Sequence, residues 1–467
     1  MSDTINQSNT EQDSSPAEFR RPGNAVMNTY AFALIPYNWA GGTQGNWYNY
    51  FMTNVLLLSP ALSGTISLIS RLCGLFAQPI AGGILDRIQI KGRKYATWIR
   101  TLAPFSTLAC FSLFINYTKL GLDTATVTVI VIFLFTASLI IGAFPQVAHL
   151  GLYAVMAQDH ETRIKLTTRR ALGLSGGNIT LGMLALPLVA LLGRGDEGKG
   201  FFYTILLFCC TGLFGLYFIT VVTKPWDPVG SSAAAQKGPP PPTIKDLFAA
   251  IFTNPPLASM LVSDAFRWAS RNMMVGFAIY NFRYVFGSMM LMAGFMTSMN
   301  LVSFVSTIIS EPVNRKIGKD AIYIWGNTFL MLTMIAALLF ARNNVTLYIV
   351  IICIGHIGYG PSAALPPAYY AECADWMLKK SGKDSKTLVM SIYNFCGAIG
   401  GLIAATLSGY CLALIGFNAQ ADMTEQMITN IFRIACLVPA ALLFIAIVVF
   451  LIRKTRTKYW FGDELKA

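Results

Sequence analysis

Arg71 stands in an apolar stretch, RLCGLFAQPIAGGIL, that also carries an amide at Gln78. With about 3.6 residues per helical turn, Arg71, Gly74, Gln78 and Gly82 fall on one stripe. A guanidinium in such surroundings needs an acceptor, which can be a carboxylate, a carbonyl or an anionic ligand. A second stripe lies in LVSDAFRWASRNMM, where Asp264, Arg267, Trp268 and Arg271 share one face. Asp264 and Arg267, three residues apart, can pair on a helix. Arg71 and Arg271 then remain as an excess of positive charge, and that excess suits an anionic solute. Asn38 and Trp39 sit in PYNWAGGTQGNWYNYFMTN. Gln146, His149 and Tyr153 mark a further segment, His356 and Tyr359 another, and Tyr393 and Asn394 a last one. Rings that stack on the CH face of a sugar and amides that bond its hydroxyls make this recognition chemistry.

Bond-making chemistry finds no comparable support. No nucleophile–base pair is evident, and H-E-x-x-H is absent. There is no G-x-x-x-x-G-K-[ST] loop, so a nucleotide does not supply the energy. His149, His160 and His356 make no metal spacing, and the nine Cys lack a CxxC pair. Neither a metal nor a cofactor is expected, and no residue is assigned a catalytic role.

These side chains must be positioned by membrane helices. The chain has 467 residues, 54% hydrophobic and 12% charged, about half the charge of an ordinary soluble domain. Apolar runs near the roughly 20 residues that span a bilayer recur from end to end. Long helices satisfy backbone groups where there is no water. Spans are expected at about 28–55, 61–85, 96–116, 125–156, 170–193, 200–222, 255–284, 288–312, 321–340, 345–372, 386–416 and 428–452. Arg71 and Asp264 then each lie about ten residues from a span's end, ~15 Å deep. Polar groups at such depth are costly and usually face a cavity.

The formal charge of +13 does not indicate nucleic acid, because the basic residues sit in short loops on one side. Arg87, Lys91, Arg93 and Lys94 begin that set, which recurs at Arg163–Arg170, Arg315–Lys319, Lys379–Lys386 and Arg453–Lys458. The other side holds little beyond Lys119, Arg194, Lys199 and Arg342. The positive-inside rule makes the first set cytoplasmic, with both termini inside a plasma or inner membrane. Residues 1–26 are expected to form a disordered cytoplasmic tail. A Pro/Gly/Ala/Ser-rich linker, 224–254, separates six-helix halves at 27–223 and 255–453, followed by a tail, 454–467. QPIAGGILDRIQIKGRK and EPVNRKIGKD repeat Pro, a basic pair and Gly–base at equivalent places in the two halves. That pattern implies parallel repeats of the major facilitator type. Alone, the DRIQIKGRK turn has a topological role.

Several segments, in order, resemble the glycoside–pentoside–hexuronide:cation symporters, the melibiose-permease-like branch of the major facilitator superfamily. They are YFMTNVLLLSPALSGTI, Arg71 with Pro79, Asp86 and GRK, DHETRIKLTTRR at 159–170, TIKDLFAAIFTNPPL, and YYAECADWMLKKSGKDSKTLVMSIYNFCGAIGG. The resemblance implies twelve helices and a cation-coupled carrier of a sugar or glycoside. It also adds Arg170 as a substrate residue, matching the family's fifth-helix arginine. Gly74 and Gln78 replace the two carboxylates that hold the family's coupling cation. Asn38 replaces the family's sugar-binding acid on the first helix, Gln146 replaces its acid on the fourth, and Ala398 falls near a family lysine. A hard cation needs oxygen ligands, preferably charged, so the sodium site is expected to be missing. The chain is therefore expected to be a monomeric symporter, taking an acidic glycoside with a proton through Asp264. The alternatives are a carrier of lipid or other amphiphile, a non-concentrative uniporter, and a sensor.

Overall fold

A computed structural model describes residues 21–88, 92–157, 159–229, 244–309, 313, 316–381 and 386–461. Among them there is no strand, only an isolated bridge between Arg93 and Val229. The helices are α1 (Asn24–Asn54), α2 (Pro60–Arg87), α3 (Lys94–Ser112), α4 (Thr124–Met156), α5 (His160–Gly193), α6 (Glu197–Val222) and a short α7 (Ile244–Thr253). They continue as α8 (Pro255–Tyr280), α9 (Met290–Ile308), α10 (Lys319–Phe340), α11 (Val345–Ala363), α12 (Pro366–Ser381), α13 (Lys386–Leu414) and α14 (Glu425–Phe461). Capping residues set many starts, because they satisfy N–H groups that have no intrahelical partner. Ser59 accepts from Leu62 N ahead of Pro60, Asp123 from Ala125 and Thr126, Asp196 from Lys199, and Asn344 from Leu347.

Four boundaries differ from the sequence expectation. The fifth helix begins at His160, not near 170, because Asp159 caps it through Thr162 N and Glu161 pairs with Lys165 one turn on. The expected 224–254 linker contains α7. The tenth expected span is two helices, divided ahead of Pro366 and Pro367. The last helix runs on to Phe461 through much of the expected tail. Residues 1–20, most of the expected N-terminal tail, lie outside the described residues, and α1 begins within the rest of it.

Among the described residues, nine helices are long and apolar enough to cross a membrane by length and composition, α11 and α12 counting as one. α1, α3 and α8 fall outside this set. α8 carries Asp264, Arg267 and Arg271, and α1 is rich in amides and tyrosines. The polar side chains that build a cavity wall also lower a helix's apolarity.

The helices pack as two repeated groups. α1 lies on α5 and α6, α2 on α4, and α3 on α4 and α6. α8 lies on α13 and α14, α9 on α11, and α10 on α11 and α14, so these five pairings of the first group have counterparts in the second, while among the described residues the packing of α5 on α6 does not. The groups meet where α2 packs against α13 and α5 against α9. Glycine permits the closest approaches. A Cβ on Gly409 would come within 2.5 Å of Gly64 backbone, and one on Gly182 within 2.8 Å of Met296.

The two ends of the bundle differ. At the end where α1 stops, α6 starts and α8 stops, side chains tie the groups together. Thr53 bonds Tyr280 at 2.7 Å, Asn49 donates to Ala405 O at 2.7 Å, and Tyr284 donates to Asn54. Arg283, on a π-turn over Asn281–Val285, pairs with Glu197 and donates to Tyr50. At the opposite, basic end, the start of the linker is clamped to α3. Buried Asp227 accepts from the backbone N–H groups of Tyr95 and Ala96 at 3.0 and 2.8 Å, and Lys94 N donates to Pro228 O at 2.9 Å. Arg93 donates to the carbonyls of Lys224 and Asp227. The GRK turn, expected to act in topology, therefore holds residues 224–228 against α3.

Candidate functional site

Three cavities surround the middle of α1. The largest, about 570 Å³, lies between the two groups. Its walls include Asn38, Asn178, Arg267, Trp268, Arg271 and Asn300. Toward the basic end its wall includes exposed Thr168, Ala171 and Leu172. A lobe of about 350 Å³ lies inside the first group, bordered by Asn38, Gln44, Gly45, Arg71, Ser138 and Gln146. A smaller space of about 150 Å³ is shared by Gly45, Arg71, Asn272 and Gly401. Asn38 borders both larger cavities, and Arg71 links the lobe to the small space. Volumes of this order suit a small molecule.

α8 presents the charged wall. Arg267 donates to Asp264 Oδ1 from Nε at 2.7 Å, and from Nη1 to Tyr359 Oη at 2.9 Å. Its guanidinium carbon lies 5.4 Å from the Trp268 ring. Trp268 is braced by α13, because a Cβ on Gly400 would come within 2.4 Å of Trp268 Cβ. Arg271 Nη2 donates to Asn300 Oδ1 at 2.8 Å, and Asn300 is held by its own bond to Met296 O. Asp264 lies behind this wall, fully buried and bonded to Arg267, which does border the cavity.

The wall on α1, α2 and α4 is made of amides around one cation. Asn38 donates to Asn178 at 2.8 Å, and Gln78 to Gln146 at 3.0 Å. Gln44 donates to Ser138 at 3.1 Å. Arg71 Nη2 donates to Gly45 O at 3.2 Å, and its guanidinium carbon lies 5.7 Å from the Phe135 ring centre. Its Nε is buried without a hydrogen-bond partner.

Of the residues picked from sequence, Asn38, Arg71, Gln146, Arg267, Trp268, Arg271 and Tyr359 border these cavities, while His356 is buried with Nδ1 at 2.9 Å from Ile352 O. Gln78 touches them through Gln146. Trp39 donates instead to Thr180 at 2.9 Å and packs on Phe208. His149 is buried, bonded to Tyr30 at 2.7 Å and stacked on its ring. Tyr153 bonds Thr167, with Arg170 over its ring at 5.8 Å. Tyr393 packs on Tyr370, and the side chain of Asn394 lies outside the described set. Asn46, Asn178, Asn272 and Asn300 were not picked from sequence. The signal for each was an amide within an apolar run, the same costly placement that marked Gln78.

Gly173–Gly177 matches the letters of G-x-S-x-G, which corrects the sequence reading that catalytic motifs are missing. It runs through the middle of α5, with Gly173 packed on Ala31 O. A nucleophile elbow needs a strand-to-helix turn, and this continuous helix supplies none.

Comparison with known proteins agrees with this architecture. The chain is 23% identical over 399 residues to a protein of Escherichia coli (strain K12) provisionally named a glycoside/cation symporter, covering 84% of each. It is 23% identical to a protein of Salmonella typhimurium provisionally named a sulfoquinovose importer, covering 85% of this chain and 82% of that one. Among solved structures, a nucleoside transporter superposes with a TM-score of 0.65 at 13% identity, over 92% of this chain and 99% of that chain, which shows the fold. The profile described as MFS/sugar transport protein matches residues 29–455, and the chain belongs to that family.

Proposed function

We propose that the chain carries a sugar or glycoside bearing an acidic group, by alternating access, with proton rather than sodium coupling. One observation carries this reading. Arg71 and Arg271 both border the cavities, and among the described residues neither is paired with a carboxylate. A cation at membrane depth is costly unless compensated, and an anionic solute compensates it. Trp268 offers a ring face for the sugar, and Asn38, Asn178 and Asn300 offer donors and acceptors for its hydroxyls. The relatives' names point the same way, one to glycosides and one to sulfoquinovose, an anionic sugar.

The protein spans the plasma or inner membrane twelve times as a monomer, α11 and α12 sharing one span. Its basic end and both termini face the cytoplasm, as the positive-inside rule requires. The two helix groups rock about the cavity, and the side-chain ties between them lie at the outer end.

The test is uptake into proteoliposomes of methyl glucuronide, its amide and the neutral methyl glucoside, with sodium and pH gradients varied separately. The acid is expected to accumulate fastest, and only with a pH gradient. Equal or faster uptake of the neutral sugars overturns the acidic assignment.

A further inference from the structure

The lobe inside the first helix group does not need to exist for a sugar to bind between the groups. It holds about 350 Å³ within α1, α2, α3, α4 and α6, and among the described residues the only charge on its wall is Arg71. None of the described Asp or Glu residues borders it. The polar atoms left free around it are mainly donors. Among the described residues the guanidinium of Arg71 has one hydrogen bond, from Nη2 to Gly45 O, and no carboxylate partner. Ser138 Oγ accepts from Gln44, which leaves its O–H to donate. Gln146 accepts from Gln78 through Oε1, which leaves its amide hydrogens. Gly41 and Gly45 face the lobe, and a Cβ on either would meet nothing within 4 Å. Arg271 lies apart from the lobe and gives a hydrogen bond to the Asn300 carbonyl in the cavity between the groups.

We propose that this lobe is an anion subsite. It receives the carboxylate or sulfonate of the substrate, with Arg71 as charge partner and Ser138 and Gln146 as hydrogen-bond donors. The sugar ring then lies across Asn38, in the larger cavity against Trp268. The substrate class is a glycoside whose acidic group projects from one end. This rests on the acidic-glycoside reading and divides its labour: Arg71 reads the acid, and Arg271 serves the hydroxyls. A cluster of donors with no acceptor carboxylate is a poor home for a neutral or cationic group and a good one for an oxyanion.

The experiment uses the purified full chain and reads the thermal unfolding midpoint against titrated ligand. The probes are methyl glucuronide, methyl glucoside, isethionate and sodium sulfate. The variants are Arg71→Gln, Arg271→Gln and Gly41→Leu, the last placing a side chain in the lobe with no atom against its Cβ. Wild type is expected to bind the glucuronide more tightly than the glucoside. Arg71→Gln and Gly41→Leu should each weaken glucuronide binding about tenfold or more and leave the glucoside unchanged. Arg271→Gln should reduce the preference for the acid less than either lobe variant does. Where Arg71→Gln does not fold, Gly41→Leu decides. If isethionate or sulfate alone stabilises the wild type, and the effect adds to that of the glucoside, the lobe is an anion site but the anion is a free one, which overturns the substrate's own acid as its source. Acid preference that survives both lobe variants and is lost in Arg271→Gln overturns the lobe while leaving the acidic-glycoside function standing. No preference in wild type overturns both.

Discussion

Arg267 holds one oxygen of Asp264 from two of its nitrogens, Nε at 2.7 Å and Nη2 at 2.5 Å, while Oδ2 accepts no hydrogen bond. Both side chains are buried, yet Arg267 borders the large cavity and Asp264 does not. An anion that draws Arg267 toward the cavity would leave a buried carboxylate without its counter-charge, and a proton can take that place. Asp264→Asn, which keeps shape but cannot titrate, is expected to exchange substrate across the membrane while losing accumulation driven by a pH gradient. Counterflow and pH-jump uptake measure the two separately. Loss of exchange together with accumulation marks the pair as structural, and full accumulation removes Asp264 from coupling.

Sodium is expected to have no effect on uptake. A Cβ on Gly74 would already come within 2.9 Å of Leu139, so this position is filled by packing. Gln78 is occupied with Gln146 at 3.0 Å. A sodium ion needs several oxygen ligands, preferably charged, and these positions supply an amide pair. Stimulation by sodium at fixed pH and membrane potential would contradict the expectation.

Asp227 is expected to matter through its acceptors more than through its charge. Burial raises its carboxyl above the ordinary value, against the pull of the Tyr95 and Ala96 N–H groups and of Arg93 and Arg100. A raised value favours the folded state below the ordinary carboxylate range, and that contribution is lost as pH rises through the folded value. At neutral pH the ionised group therefore carries a desolvation cost that its hydrogen bonds offset only in part. Asp227→Ala, which leaves two N–H groups of α3 unpaired, should cost about 1 kcal/mol. Asp227→Asn should cost less, since it keeps an acceptor and buries no charge. Thermal unfolding at pH 7 ranks the two, and the reverse order rejects the account.

Much of this arrangement was legible from residue types. Apolar length and basic loops foretold the helices, and the misplaced charges Arg71, Arg267 and Arg271 foretold the cavity wall, because burial of polarity is costly wherever it occurs. His149 shows the limit. Its position in α4 is polar at depth, but a single partner, Tyr30 on α1, satisfies it away from the cavities. Sequence reveals that a polar group must be satisfied and does not say by which neighbour. The start of α5 was missed for a related reason: its charged first turns look like loop until Asp159 is seen to cap them. The lobe was illegible because it depends on which faces of five helices leave space between them.

Arg283 and Glu197 are expected to hold the bundle closed at its non-basic end. Glu197 opens α6, and Arg283 lies on the π-turn that ends α8, so their ion pair joins the two helix groups. Tyr50 adds to the tie, donating to Glu197 at 3.0 Å and accepting from Arg283. π-turns widen a helix locally and are frequent at functional positions. Here the turn places Arg283 toward the first group. Both charges are about a third exposed, so solvent screens the pair and its worth is about 1 kcal/mol. Arg283→Gln should therefore shift the balance between closed and open ends by roughly fivefold rather than abolish closure. Glu197→Gln, which can keep the Tyr50 bond, should shift it less. Spin labels on the exposed α1–α2 connection at Leu57 and at Gly287 before α9 would report the separation directly. A longer-distance population that grows in both variants and shrinks when saturating substrate is added on the basic side fits a latch released during the transport cycle. Distance distributions unchanged in both variants would show that packing of α2 on α13 and α5 on α9 closes this end without the charges.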